Sequence, residues 1–293
     1  MRAMSRPVVL LLTSLAMIAF AGNSLLCRLA LKDTGIDAAT FTLVRVVSGA
    51  AALWMLVRLR DRTSAREGNW PSALALFTYA AAFSFAYLSL TAATGALLLF
   101  GAVQTTMIGY GLFEGERLSA GQFAGLVCAC GGLVYLLLPG VAAPPLHGAA
   151  LMIVAGVAWG VYSLRGKGAG DPTRVTAGNF LRAVPLAVAL SLVMLARSSV
   201  EVRGLFYAIA SGALTSGVGY AIWYTAVREL KATSAATVQL SVPVVTAIGG
   251  VAILGETITW RLVLASLAIL GGIAMVVLHD SPPRSHPAPV TGD

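Results

Sequence analysis

Apolar stretches of membrane-crossing length follow one another along almost the whole chain, each closed by a short polar or glycine- and proline-rich break. They fall at roughly 7–31, 38–59, 70–90, 93–112, 120–138, 147–166, 173–196, 203–226, 233–253 and 260–279. A helix rises about 1.5 Å per residue, so about 20 apolar residues cross the hydrocarbon core. The pattern predicts an all-α integral membrane protein with ten transmembrane helices. Short connections make successive helices antiparallel. The strongest breaks run from Pro139-Gly140 to Pro144-Pro145 and from Gly166 to Pro172. From Ser281 onward the chain carries four prolines and little apolar content, which predicts a disordered cytoplasmic tail over 281–293.

The pattern also repeats. Gly-Glu stands at 115–116 and again at 255–256, and Gly-Gly at 131–132 and again at 271–272, both at an offset of 140. Arg28 and Arg45 are spaced like Arg165 and Arg182, at an offset of 137. The expected units are a five-helix repeat over 1–140 and a second over 141–280. Five is odd, so the second copy must be inverted in the bilayer. Inverted repeats around a central cavity are an architecture of carriers that open alternately to either side.

Composition agrees with this picture. Hydrophobic residues make up 58% and charged residues 11%, against about 25% charged in ordinary soluble domains. Glycine is frequent, as close helix contacts in lipid require, in runs such as Gly121-x-x-x-Gly125 and Gly156-x-x-x-Gly160. The net charge of +8 does not imply nucleic acid, because the basic residues collect in alternate loops. Arg2, Arg6, Arg58, Arg60, Arg165 and Arg228 share one side, which by the positive-inside rule places both termini in the cytoplasm. The opening apolar run is too long for a signal peptide and reads as the first span. Neither Cys27, Cys128 and Cys130 nor the three histidines have metal-ligand spacing. No metal, cofactor or obligate protein partner is expected; the partners are a small-molecule substrate and the lipid bilayer.

These motifs resemble the drug/metabolite transporter superfamily, in its ten-helix EamA type, over nearly the whole chain. The marks are Arg45, the two Gly-Glu pairs, the two Gly-Gly pairs and Pro243 in the ninth span. The fourth span departs from the family pattern, with Val103 where a proline would match Pro243. Within the group the chain looks most like the YddG aromatic amino-acid exporters. The resemblance implies a cavity lined by helices 1, 3, 4, 6, 8 and 9, with helices 5 and 10 peripheral.

Candidate site residues are polar or aromatic groups placed deep in apolar spans. Tyr79, Phe83 and Tyr87 share one helical face. Trp159 reaches a similar depth, with Tyr162 close by. Such polar tips need a partner or a wet cavity. Gln104, Gln239 and Asn23 are amides that are costly in hydrocarbon unless paired. The substrate-binding set is therefore Asn23, Tyr79, Phe83, Gln104, Trp159, Tyr162 and Gln239, with Pro185 and Pro243 as hinge candidates. Trp54, Trp70, Trp223 and Trp260 fall near span ends and read as an interfacial belt. Arg45 and Arg182 read first as structural, snorkelling or pairing near the ends, with a carboxylate anchor as the alternative. Glu116 and Glu256 read as caps on the helices that follow them.

None of the 12 acidic residues stands at mid-span. Carboxylate-based proton coupling is not expected, and export down a gradient or exchange is. The sequence thus predicts a bacterial inner-membrane exporter of small amphipathic metabolites, with aromatic amino acids as the leading substrate. A carrier of lipophilic cations or another solute is the alternative within the fold. An integral membrane enzyme would need clustered His, Asp, Glu or Cys near one interface, and the pattern shows no such cluster.

Overall fold

The structure is a computed structural model that describes residues 4–60, 67–115, 117–140, 142–166, 170–230, 235 and 238–278. Glu116 and the tail 281–293 lie outside the described residues. Among the described residues the regular structure is all helix, with no strand. The helices are α1 (Arg6–Asp33), α2 (Ala38–Arg60), α3 (Trp70–Ala86), α4 (Ala92–Phe113) and α5 (Ala120–Leu137). Then come α6 (Leu146–Arg165), α7 (Pro172–Val193), α8 (Val202–Val227), α9 (Ser241–Leu254) and α10 (Trp260–Leu278). Eight are long and apolar enough to cross a membrane; α3 and α9 are shorter apolar helices.

Local chemistry sets the ends. Asp37 accepts the N–H groups of Ala39 and Thr40 at the start of α2, at 2.9 and 3.0 Å. Asn69 and Thr91 cap α3 and α4 with their side-chain oxygens, Asp171 caps α7, and Ser119 forms a reciprocal capping box with Gln122 on α5. Each satisfies helix N–H groups that have no partner within the helix. At the far end of α9, Gly255 takes a left-handed φ of 62°, and the Glu256 N–H turns back to the Gly250 carbonyl at 3.0 Å. Glycine enters that region without a Cβ penalty, so the Gly-Glu pair stops the helix and throws the carboxylate sideways.

Two helices depart from regular geometry. Within α8, residues Ala210–Val218 form a π-helical stretch. The α geometry lapses at Leu240, just before α9. There the Pro243 ring would crowd the carbonyl of Gln239, four residues earlier. Pro185, by contrast, lies inside a continuous α7.

The helices pair in a regular way. α5 lies against α10, α2 against α7, and α4 against α9. α3 packs on α6 as α1 packs on α8; α4 packs on α6 as α1 packs on α9; α2 packs on α8 as α3 packs on α7. Exchanging the first five helices for the last five maps this set of pairings onto itself. The α5–α10 contact runs backbone to backbone: a Cβ on Gly125 would come 2.5 Å from the Gly272 carbonyl oxygen, and one on Gly132 would come 2.7 Å from the Ala268 Cβ. The second glycine of each Gly-Gly pair thus faces the partner helix, as small residues do where helices pack in lipid.

Candidate functional site

Two of the cavities between the helices adjoin. The inner one is walled by Phe20, Asn23, Ser24, Tyr79, Phe83, Leu99, Phe100, Trp159 and Tyr220, and its volume is about 20 Å³. That is room for a single water. The outer vestibule is about 240 Å³ and is lined by Gln104, Met107, Ser163, Trp223, Tyr224, Gln239 and neighbouring residues. Phe20 and Trp159 border both chambers and form the partition between them. The vestibule lies toward the end where α4, α6 and α8 finish.

Aromatic rings build the inner wall. Tyr79 meets Trp159 at 4.8 Å between ring centroids and Phe83 at 5.4 Å. Trp159 meets Tyr220 at 5.0 Å, and Phe20 meets Tyr220 at 5.8 Å. All but one of these are tilted contacts, the exception being the edge-to-face contact of Phe20 with Tyr220. Such pairs are worth about 0.5–1.5 kcal/mol beyond the area they bury.

A buried polar chain runs behind the rings. Asn23 Nδ2 donates to the Tyr79 hydroxyl at 3.1 Å, and Ser211 Oγ donates to Asn23 Oδ1 at 2.7 Å. Arg45 Nη2 also donates to the Tyr79 hydroxyl, at 2.9 Å, and Arg45 Nε reaches Ser216 Oγ at 3.4 Å. The guanidinium carbon lies 5.1 Å from the Tyr79 ring centroid and 4.8 Å from that of Phe83. Ser211, Thr215 and Ser216 all belong to the π-helical stretch of α8, whose altered pitch turns these hydroxyls toward α1 and α2. In the same stretch Gly212 meets the Arg45 carbonyl, where no Cβ would fit. Stretches of this kind recur at functional sites.

Beyond the inner chamber lies a cluster of charged side chains. Arg28 Nε meets Glu256 Oε1 at 3.2 Å, with both side chains largely buried. Glu256 Oε2 accepts the Ala92 N–H at 2.8 Å, at the start of α4. Arg28 Nη1 donates to the Tyr87 carbonyl at 2.8 Å, and Lys32 Nζ to the Leu254 carbonyl at 2.9 Å. One acidic side chain thus ties α1, α4 and the end of α9 together.

Of the residues expected from sequence, Asn23, Tyr79, Phe83 and Trp159 meet at the inner chamber. Gln104 and Gln239 line the vestibule instead. Tyr162 is turned away: its hydroxyl donates to Thr176 Oγ1 at 3.4 Å in a side recess with Ser72, Arg165 and Asn179. Glu256 does not cap the helix that follows it. It caps α4 in the other half of the chain, while Thr259 accepts from Leu262 N–H at the start of α10. Trp223 is buried, in edge contact with Phe20, and does not belong to a belt. Trp54, Trp70 and Trp260 are exposed. Arg182 does play a structural part, donating to the carbonyls of Glu67 and Gly178.

Arg45 is the main residue misread from sequence. It neither snorkels nor pairs with a loop carboxylate; it is 2% exposed in the core. The available signal was a charge seven residues into an apolar span, which by default marks a functional site. Phe20, Phe100 and Tyr220 were missed because apolar spans are rich in such residues. The hydroxyl run at 211, 215 and 216 stands at one-turn spacing and could have been read as a polar stripe.

Comparison with known proteins places this geometry. The EamA-like transporter family matches residues 146–278. An uncharacterized protein of Pseudomonas aeruginosa is 57% identical over 92% of this chain and 94% of its own. The chain belongs to the EamA-like transporter family. It is accordingly a multi-pass membrane protein of a transporter family. An uncharacterized transporter of Archaeoglobus fulgidus is 26% identical over 90% of this chain and 95% of its own. The threonine/homoserine exporter RhtA of Escherichia coli is 33% identical over 55% of this chain and 57% of its own. This chain therefore aligns with little more than half of that exporter. A crystal structure 18% identical superposes with a TM-score of 0.63, covering 94% of this chain and 98% of its own, and shows the same fold. The named cargo of RhtA is threonine and homoserine, so the narrower resemblance to aromatic exporters draws no support from it.

Proposed function

We propose that this EamA protein exports small amphipathic metabolites from the bacterial cytoplasm across the inner membrane by alternating access, with aromatic amino acids as the leading cargo. The observation that carries the reading is the pair of adjoining chambers. The inner chamber is walled by six aromatic side chains around one amide, opens through a Phe20–Trp159 partition to a vestibule holding two more amides, and is closed beyond by Arg28–Glu256. Aromatic faces suit a ring once the rings part to widen the inner chamber, which here has room for one water, and the amides suit the polar backbone of an amino acid. The vestibule end bears Arg58, Arg60 and Arg165, which the positive-inside rule assigns to the cytoplasm. On this reading the structure is open inward and shut outward.

The exchange symmetry of the helix pairings supports two inverted five-helix repeats. Rocking one set of helices against the other would then open the Glu256 end and close the vestibule. Leu240, where α geometry lapses beside Pro243, is the leading hinge point, whereas Pro185 lies within a continuous α7. A second reading, export of hydroxylated amino acids, is favoured by the Asn23–Ser211–Thr215 cluster at the inner wall. Both readings exclude a lipophilic cation, which the buried Arg45 would repel.

The test is counterflow in sealed liposomes at equal pH on both sides, with labelled phenylalanine, tryptophan, threonine and leucine. Tyr79→Ala, Phe83→Ala and Trp159→Ala should each weaken aromatic cargo by about two- to tenfold, from a contact worth about 0.5–1.5 kcal/mol. Leucine should suffer less. Gln104→Leu should weaken every amino-acid cargo alike. Unchanged transport by all three aromatic variants, at equal abundance, would refute aromatic cargo.

A further inference from the structure

Arg45 is a cation in the core of a membrane protein with no carboxylate partner among the described residues. Its neighbours are neutral: the Tyr79 hydroxyl, Ser216 Oγ and the faces of Tyr79 and Phe83. Its Nη1 is fully buried and has no hydrogen-bond partner. A charge held this way is costly unless an anion completes it, and the rings it rests on are walls of the inner chamber.

The Tyr79 hydroxyl shows where an anion would arrive. It accepts from Arg45 Nη2 and from Asn23 Nδ2. The Asn23 amide is oriented by Ser211, which donates to its oxygen at 2.7 Å. Both phenolic lone pairs are therefore taken, and Tyr79 has its O–H proton to offer, to the neighbouring Tyr220 hydroxyl or to an anion that displaces that contact. The chamber presents a hydrogen-bond donor with a fixed positive charge one bond behind it. That arrangement receives a carboxylate and rejects an ammonium.

We propose that the inner chamber selects its cargo by the carboxylate, which the Tyr79 hydroxyl receives, with Arg45 as the positioning residue that makes Tyr79 a donor and balances the arriving charge. The proposal rests on the reading of this chamber as the cargo site. It adds that the cargo must be a small monocarboxylate or zwitterion, whatever its side chain.

Three ligands separate the groups: phenylalanine, 3-phenylpropionate, which lacks the amine, and phenylalaninamide, which lacks the carboxylate. Binding is measured by calorimetry on the purified full chain, and transport by counterflow. The wild type should bind both acids at least tenfold more tightly than the amide. Tyr79→Phe and Arg45→Gln should each weaken both acids about tenfold or more and bring the acid-to-amide ratio toward one. The double variant should lose little beyond either single change. Arg45→Lys, which keeps the charge, should restore part of the preference. A purely packing role would weaken acid and amide together and leave the ratio unchanged. If Arg45→Gln fails to fold, Tyr79→Phe carries the same test, because it removes one oxygen and keeps the ring. A wild type that binds amide as tightly as acid would overturn the proposal, as would a folded Tyr79→Phe with an unaltered ratio. If the wild type binds none of the ring compounds, aromatic cargo is refuted, and threonine against threoninamide then decides the carboxylate claim by the same ratio.

Discussion

Glu256→Gln tests the proposed seal at the Glu256 end with almost no change of shape. The carboxylate accepts Arg28 Nε on one oxygen at 3.2 Å and the Ala92 N–H on the other at 2.8 Å. A carboxamide keeps one acceptor and turns an NH₂ toward the second donor, so one of the two bonds must be lost. A hydrogen bond involving a charged group contributes about 1.5–3 kcal/mol. A negative charge at a helix N-terminus, here α4, adds about 0.3–1 kcal/mol. The side chains are only 13% and 7% exposed, so solvent screening removes little of this. The loss is about 2–4 kcal/mol. If the clamp exists only while this end is shut, the whole loss moves the equilibrium toward opening, by at least about 30-fold. The assay is the labelling rate of Ser24→Cys, on the inner chamber wall, in a background without Cys27, Cys128 and Cys130. An impermeant thiol reagent is applied from the Glu256 side. Labelling should be slow with Glu256 present and at least tenfold faster in Glu256→Gln. Arg28→Gln should act alike, and the double variant should add little. Labelling at the original rate in a folded Glu256→Gln protein would refute the reasoning.

Other consequences follow from single contacts. Gly272→Val should destabilise the protein in detergent and separate α5 from α10, because even a Cβ there would come 2.6 Å from the Ala129 nitrogen; an unchanged Tm would contradict the packing. Phe20→Ala should merge the inner chamber with the vestibule, raising labelling of Ser24→Cys from the vestibule side severalfold with no change from the Glu256 side. Burial alone would raise the Asp37 carboxyl, but hydrogen bonds from Thr40, Ser199 and Ala39 outweigh it and hold its pKa below the ordinary 3.8. Its folded pKa being depressed, Asp37 contributes stability in full above 3.8, and that contribution is lost as pH falls through the lower folded value. Asp37→Asn should therefore lower Tm near neutral pH and flatten its acid limb, and a variant whose acid limb parallels the original would count against this link between α2 and the loop after α7.

The sequence by itself determined what depends on neighbours within a few residues or on the solvent. Hydropathy marked the helices to within a few residues at most ends, because crossing hydrocarbon demands length and apolarity of each segment separately. Asn69, Thr91, Ser119 and Asp171 act as caps because a cap reaches only the next turn. The runs Gly121-x-x-x-Gly125 and Gly156-x-x-x-Gly160 pointed to close helix contact, which Gly125 makes with Gly272 and Gly156 with Ala102, because only a missing side chain permits it. Which polar tips meet was decided by the tertiary structure. Asn23 reaches Ser211, 188 positions away, and Arg45 reaches Ser216, 171 away. Nothing local distinguishes the buried face of these helices, because a span that is apolar all round has no strong polar stripe to mark its orientation. Tyr162 thus fell on the wrong side of its helix for the chamber, and Glu256 reached α4 rather than α10. Arg45 is the sharpest case. Its depth could be read from the chain, but only the packing of α2 and α3 and the π-helical stretch of α8 showed that its partners are neutral and that its charge lies against the chamber wall.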